Sequence, residues 1–334
     1  MNRRYSLTTL AAAAFLASVL APAPAQAQLW SWTKDQLTEY TKAWTGERMP
    51  DGRPKVSDAL IERAKGLSME EITINWGAAG VTAAPASAAG GGGRGGPGGG
   101  GRGGPGGGGG GYSQYAGDWQ VLHPGKKMVG RAFTVQFMPA RADLDAVVTA
   151  KAREKGIQTL NNQYALDMLQ PGDILIVDLM GRKEGGTIVG DNLFYYVMKA
   201  TKGGGMVVEG AFRDLEGITE MDMPCYYRSV HPSAIGGVTL AGVNVPVRIG
   251  NVTVMPGDLV VGDREGISFI PPQLAQQILD AADTTHIHDE WTRKKFDEGK
   301  YKSSEIYGSP RDPALLKEYK EYLAKRLEEI RGKK

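Results

Sequence analysis

Apolar and polar positions along this chain change their period in blocks. From residue 113 to about 272, short apolar runs bounded by Gly, Asp and Pro turns alternate with stretches of helical spacing. Strands are predicted at 131–137, 173–178, 206–209, 245–249, 259–261 and 267–270, and helices at 143–155 and 191–201. The run Asp173-Ile-Leu-Ile-Val-Asp178 is uniformly apolar inside, which predicts a strand buried on both faces. The whole pattern is an α/β core, not a helical one. Before it, residues 28–80 read as helical and polar. Ala59, Leu60, Ile61 and Ala64 share a helical spacing, and Ser68-Met69-Glu70-Glu71 is a capping box. Gly46 to Pro54 has turn chemistry throughout. After the core, the chain returns to helix rich in charge pairs. Leu316, Tyr319, Leu323, Leu327 and Ile330 share one face with no core partner legible in the sequence, which predicts packing against another subunit.

Composition refines this picture at two places. Arg3 and Arg4, the apolar run Leu7 to Leu20 and Ala25-Gln26-Ala27 together predict an export leader cleaved after Ala27. Export would leave the protein periplasmic or secreted, with a weak hint of the twin-arginine route. The apolar run is short for a membrane span, and none of spanning length follows. Of the 47 Gly, 18 lie between Gly90 and Gly111, where Gly-Gly-Gly-Gly-Arg-Gly-Gly-Pro occurs twice. Such a stretch buries too little apolar surface to offset its ordering entropy, so disorder is predicted. Its two Arg, without interleaved aromatics, do not make an RNA-binding tail. Lys plus Arg is 39 against 37 Asp plus Glu, so bulk charge gives no reason to seek nucleic acid. The expected organisation is a leader (1–27), a helical segment (28–80), a Gly-rich insertion (81–112), a core (113–275) and a helical C-terminal arm (276–334).

Several chemistries are absent from the sequence. One Cys excludes a disulfide framework and a multi-cysteine zinc site. There is no Gly-x-Ser-x-Gly elbow, HExxH or Walker loop. Cys225 reads as a lone buried thiol, and His286 and His288, two apart, point to different faces of a helix. Two motifs remain. Gly190-Asp191-Asn192-Leu193 is a glycine turn opening a helix, whose free N–H groups suit a carboxylate or phosphate. Gly210-Ala211-Phe212-Arg213-Asp214 follows a strand, where α/β folds place ligands. Arg suits a substrate carboxylate, and Asp suits Mg²⁺ or Mn²⁺. On spacing alone, Asp191 equally reads as a helix cap and Arg213 as a surface ion-pair residue.

Further motifs stand around these two in a fixed order. They are Val129-Gly130-Arg131-Ala132, Gly172-Asp173, Val245-Pro246-Val247, Pro256-Gly257-Asp258 and Asp263-Arg264-Glu265-Gly266-Ile267. As an ordered set over about 120–275 they resemble the RraA-like family. That family includes class II 4-hydroxy-4-methyl-2-oxoglutarate aldolases and oxaloacetate decarboxylases, and relatives that inhibit a ribonuclease by protein contact. The resemblance implies an α/β fold with a swivelling β/β/α core and helical N- and C-terminal extensions, assembled as a homotrimer or hexamer. It implies a metal-dependent lyase that releases pyruvate from a 2-oxo acid through a metal-stabilised enolate. The alternative it implies is a non-catalytic protein-binding regulatory module. By the same resemblance, Arg213 would hold the carboxylate and keto oxygen of a pyruvyl group, and Asp214 would ligate Mg²⁺ or Mn²⁺. The turn Gly190, Asn192 and Leu193 would complete carboxylate binding, and Asp191 would anchor a metal-bound water. Glu290 would be the acid lent by a neighbouring subunit's C-terminal helix; its other reading is a solvated helix charge.

Overall fold

The computed structural model describes residues 31–79 and 114–332; the leader and the Gly-rich insertion lie outside the described residues. The N-terminal segment carries three short helices, α1 (Lys34–Tyr40), α2 (Asp58–Lys65) and α3 (Met69–Thr73). The capping box at Ser68 forms: its hydroxyl accepts from Glu71 N–H at 3.2 Å, and the Glu71 carboxylate accepts from Ser68 N–H at 2.7 Å. Two short strands follow, β1 (Tyr115–Ala116) and β2 (Gln120–Leu122), then the long β3 (Met128–Pro139). Next come α4 (Ala142–Glu154), α5 (Asn162–Leu166), β4 (Asp173–Asp178), α6 (Asp191–Thr201), β5 (Met206–Phe212), α7 (Leu215–Ile218) and β6 (Cys225–Val230). The strands β7 (Val238–Val243), β8 (Val247–Ile249), β9 (Val252–Val254), β10 (Leu259–Asp263) and β11 (Gly266–Ile270) precede α8 (Pro272–Asp297), α9 (Ser303–Ile306) and α10 (Pro313–Gly332).

One sheet organises these elements in the order β1-β11-β10-β3-β4-β5-β6-β2, with β7 beside the far half of β3. The centre, β3-β4-β5-β6, is parallel, and the flanks are antiparallel. β4 is buried at all six positions, as its apolar run predicts. Its alternate residues feed two different cores. Leu175 and Val177 join Phe133, Val208, Phe194 and Val197 under α5 and α6. Ile174 and Ile176 join Ala132, Val207 and Phe269 under the β8–β9 hairpin, through Val247, Ile249, Val252 and Val254. Further along the helical face, Val129, Leu259 and Val261 meet Ile61, Ala64, Ile278, Leu279 and Ala282 of α2 and α8. A sheet with helices on one face and a small β layer on the other is the β/β/α arrangement.

The N-terminal segment is laced onto this sheet. Arg53, fully buried, donates from Nη1 and Nη2 to the two Asp173 oxygens at 2.8 and 3.0 Å. Its Nε reaches Asp51 Oδ2 at 2.7 Å, and Nη1 also reaches the Ala132 carbonyl. Arg131 returns the tie by donating to the Val56 carbonyl at 2.8 Å and to Asp58. The C-terminal arm has a partner within the chain that its sequence did not show. α10 packs within the chain, where Leu315 and Tyr319 meet Trp291 of α8 and Ile306 of α9. The stripe of Leu316, Leu323, Leu327 and Ile330 is half-buried; the face that meets α8 is offset from it and includes polar Tyr322 and Arg326. Among the described residues, no helix is long and apolar enough to cross a membrane.

Two predictions follow from the buried charges. Asp173→Asn strips Arg53 of its bidentate partner and leaves a buried cation under-compensated; urea unfolding should show a loss of about 3–5 kcal/mol. Asp258 is fully buried and accepts one backbone N–H, from Met255 at 2.8 Å. Burial pushes its carboxyl up from 3.8 to about 7. A raised carboxyl contributes stability that is fully present below about pH 4 and is lost as pH rises through 7. The stability of Asp258→Asn relative to the unmodified chain should therefore increase from pH 4 to pH 8, by on the order of 1–4 kcal/mol.

Candidate functional site

The motifs at 190–193 and 210–214 meet at the C-terminal edge of the parallel strands. β5 carries Gly210, Ala211 and Phe212 to that edge and ends there. Asp214 then takes the left-handed conformation (φ 56°), which Asp tolerates better than most residues, and α7 begins. β4 ends at Asp178, and the loop 179–190 leads from it into α6, whose N-cap is Gly190. Gly190 is required for space: its φ of −103° is open to any residue. A Cβ there would lie 2.4 Å from Asp214 Oδ2, 2.7 Å from Arg213 Nη2 and 3.0 Å from Arg213 Nε. The absent side chain lets the α6 N-terminus touch both charged groups. The Asp191 N–H donates to Asp214 Oδ2 at 3.3 Å. Asp191 Oδ1 in turn accepts the Asn192 N–H at 2.7 Å, which commits one of the amides expected to bind a carboxylate. Leu193, in the same turn, packs against the main core.

Arg213 is the anomaly of this edge. Its Nε is buried and meets no hydrogen-bond acceptor among the described residues. The nearest carboxylate oxygen, Asp214 Oδ2, stands 3.6 Å away, beyond hydrogen-bond range. A guanidinium N–H buried without an acceptor is costly and uncommon. Both side chains also reach solvent, at 29% exposure for Arg213 and 42% for Asp214. The site is therefore an open edge with one under-used cation, one carboxylate beside it and a second carboxylate at Asp191. A hard divalent cation that keeps most of its waters needs only one or two such oxygens. Among the described residues, no three His, Cys, Asp or Glu side chains converge as a fuller metal cage.

Other candidates lie elsewhere. Glu290 accepts from Tyr322 Oη at 2.5 Å, from Arg326 at 3.1 and 3.2 Å and from Lys294 at 3.1 Å, between α8 and α10. Its carboxyl is pulled down to about 2, chiefly by the Tyr322 hydroxyl and then by Lys294 and Arg326. Within the chain it is an anchor of the C-terminal arm, and the fold does not bring it to the Arg213 edge. His286 bonds Glu71 at 2.9 Å, and His288 lies against Trp291 and Tyr319. Cys225 is buried and free, and burial pushes its thiol well up.

A charged row on the hairpin face escaped the sequence reading. Asp178 and Glu209 are partners on β4 and β5. Glu209 accepts from Arg228 at 3.1–3.2 Å and from Gly250 N–H at 2.9 Å. Arg228 also stacks over Trp119 at 3.5 Å and donates to the Gly117 and Asp118 carbonyls. Burial raises the Asp178 carboxyl. The legible signal was an acid closing each of two apolar strand runs.

The comparisons agree with this architecture. The RraA-like family, described as Aldolase/RraA, matches residues 108–268. A Halalkalibacterium halodurans protein provisionally named as a 4-hydroxy-4-methyl-2-oxoglutarate aldolase is 34% identical over 121 residues, covering 36% of this chain and 56% of that protein. A solved Streptomyces coelicolor protein, RraAS2, titled an unusual member of the RNase ES inhibitor RraA protein family, is 32% identical with TM-score 0.46. That match covers 55% of this chain and 85% of the other. An uncharacterized Pseudomonas syringae protein is 18% identical with TM-score 0.52, covering 74% of this chain and 96% of the other, and shares the fold. The first curated relatives are matched over about half of their length or less. This chain belongs to the RraA-like family.

Gly190→Ala isolates the contact. The atoms in the way are ends of flexible side chains, so the fold should survive with its melting temperature within a few degrees. Arg213 and Asp214 should both be re-aimed, and calorimetric binding of oxalate with Mg²⁺ should weaken at least tenfold.

Proposed function

We propose that this RraA-like chain is a divalent-cation-dependent lyase that cleaves a C–C bond of a 2-oxo acid and releases pyruvate, by retro-aldol cleavage or by decarboxylation of oxaloacetate. The observation that carries the reading is the buried, acceptor-less Nε of Arg213 beside the Asp214 carboxylate. Breaking the bond leaves an electron pair on the carbon next to the keto group, and the charge spreads onto the keto oxygen. Arg213 would donate to that oxygen and to the adjoining carboxylate, and its hold would strengthen as the charge develops. Asp214 would hold Mg²⁺ or Mn²⁺, which when bound would polarise the 2-oxo group. Asp191 has one oxygen committed to Asn192 N–H. Its other oxygen is available to hold a water at the ligand's edge, for the proton that returns to carbon. The missing side chain at Gly190 lets the α6 N-terminus lie against Arg213 and Asp214. The whole-protein assembly we propose is a homotrimer or hexamer, exported from the cytoplasm.

The second reading is a protein-binding regulator that carries this edge without turnover. The thin donor set favours it, because a single carboxylate, Asp214, stands directly beside Arg213 and no fuller cage forms among the described residues.

Pyruvate release from oxaloacetate and from 4-hydroxy-4-methyl-2-oxoglutarate separates the two. The lyase reading expects release with Mg²⁺ or Mn²⁺, loss with chelator and loss in Asp214→Ala. Arg213→Ala should lower kcat about 10²- to 10³-fold, or about 3–4 kcal/mol in the barrier. No pyruvate from either substrate, with the cation shown to be bound, would contradict the lyase and leave the regulator.

A further inference from the structure

We infer that His231 is a substrate-contacting donor at the Arg213 edge, locked by Ser233 into the tautomer that presents Nε2–H to the part of the ligand beyond the scissile bond. The inference rests on the ligand site proposed above and adds to it a residue that selects the distal half of the substrate.

The backbone places residue 231 at the edge. β6 runs parallel to β5, with Phe212 opposite Val230. The His231 N–H donates to the Phe212 carbonyl at 2.9 Å, so His231 lies alongside the peptide that enters Arg213. The loop that delivers Gly190 and Asp191 is stitched to the same turn. Gly185 N–H donates to Ser233 Oγ at 2.7 Å, Thr187 Oγ1 donates to the Ser233 carbonyl, and Gly236 N–H donates to the Gly185 carbonyl at 3.1 Å. Ala211 N–H donates to the Gly186 carbonyl at 2.9 Å, which closes the loop onto β5 itself.

The hydrogen bonds decide which ring nitrogen carries the proton. The Ser233 backbone N–H can only donate, and it faces His231 Nδ1 at 3.3 Å. Ser233 Oγ also contacts Nδ1, at 2.9 Å, and with Nδ1 facing the Ser233 N–H the hydroxyl is assigned as the donor of that contact. Nδ1 is thus an acceptor, and the neutral imidazole carries its proton on Nε2. Nε2 meets no partner among the described residues, and the side chain is half-buried. An unused ring N–H on a residue whose backbone runs alongside the 212–213 peptide suits an acceptor oxygen carried by a longer 2-oxo acid, such as a second carboxylate. Ser233 is a positioning residue that acts through His231.

The test uses the full chain, two unreactive probes and Mg²⁺. Oxalate covers only the pyruvyl half, whereas 2-oxoglutarate extends beyond it to a distal carboxylate. Calorimetry should show His231→Ala weakening 2-oxoglutarate about tenfold with oxalate unchanged within twofold. His231→Gln keeps a donor at that reach and should recover most of the loss. Side-chain ¹⁵N spectra should show His231 protonated on Nε2 alone, and a mixture of tautomers in Ser233→Ala. Equal weakening of both probes, no weakening of either, or a proton on Nδ1 would overturn the inference while the Arg213 site stands. Failure of the unmodified chain to bind either probe would instead overturn the ligand site, and this inference with it.

Discussion

At Gly190 a single methyl group would collide with both charged groups of the site, 2.4 Å from Asp214 Oδ2 and 2.7 Å from Arg213 Nη2. The rest of the site depends on this close approach. Because the α6 N-terminus can rest on Asp214, the Asp191 amide meets the carboxylate and Asp191 itself is drawn to the same edge. Because β4 and β5 are parallel neighbours, the loop leaving one and the turn ending the other arrive at the same end of the sheet. Sheet register, helix start and charge placement are one arrangement seen at three scales.

The charges of this molecule divide by how completely they are satisfied. Arg53 spends its donors on Asp173, Asp51 and a carbonyl, and it ties the N-terminal segment to the sheet. Arg228 spends its donors on Glu209 and two carbonyls while stacking on Trp119, and it closes the β1–β2 connection onto the hairpin face. Glu290 is similarly saturated at the base of the C-terminal arm. Each of these groups has partners within the chain that offset its desolvation. Arg213 breaks the rule, with a buried Nε and no acceptor among the described residues. That contrast within one fold sets the 213–214 edge apart from the saturated charges and supports the ligand site proposed there.

Much of the fold was legible because its elements satisfy local rules. β4 and α6 match their sequence-predicted limits, since a continuous apolar run and a glycine turn into helical spacing are strong signals. β5 runs three residues further than its apolar stretch, because Gly210 packs against the Gly186 carbonyl with no room for a Cβ. β1, β2, β6, β7 and β9 gave no strand signal. They are short, or broken by polar residues such as Arg228, and for β1, β2 and β7 the partners are remote in sequence, whereas β9 is the three-residue arm of a tight hairpin with β8. The same remoteness hid Arg53 in a turn-rich stretch, 120 residues from Asp173. Gly190, Asp191, Arg213 and Asp214 were legible as two motifs. Their convergence needed the parallel pairing, and His231 needed both the register of β6 and the Ser233 hydrogen bonds.

The most direct measurement is a crystal structure of the chain from residue 28 on, grown with Mn²⁺ and oxalate, a planar mimic of the pyruvate enolate. The account predicts an anomalous Mn²⁺ peak about 2.2 Å from an Asp214 oxygen and an oxalate oxygen about 2.9 Å from Arg213 Nε. Mn²⁺ bound away from Asp214, or oxalate bound with Arg213 Nε still lacking an acceptor, would contradict it.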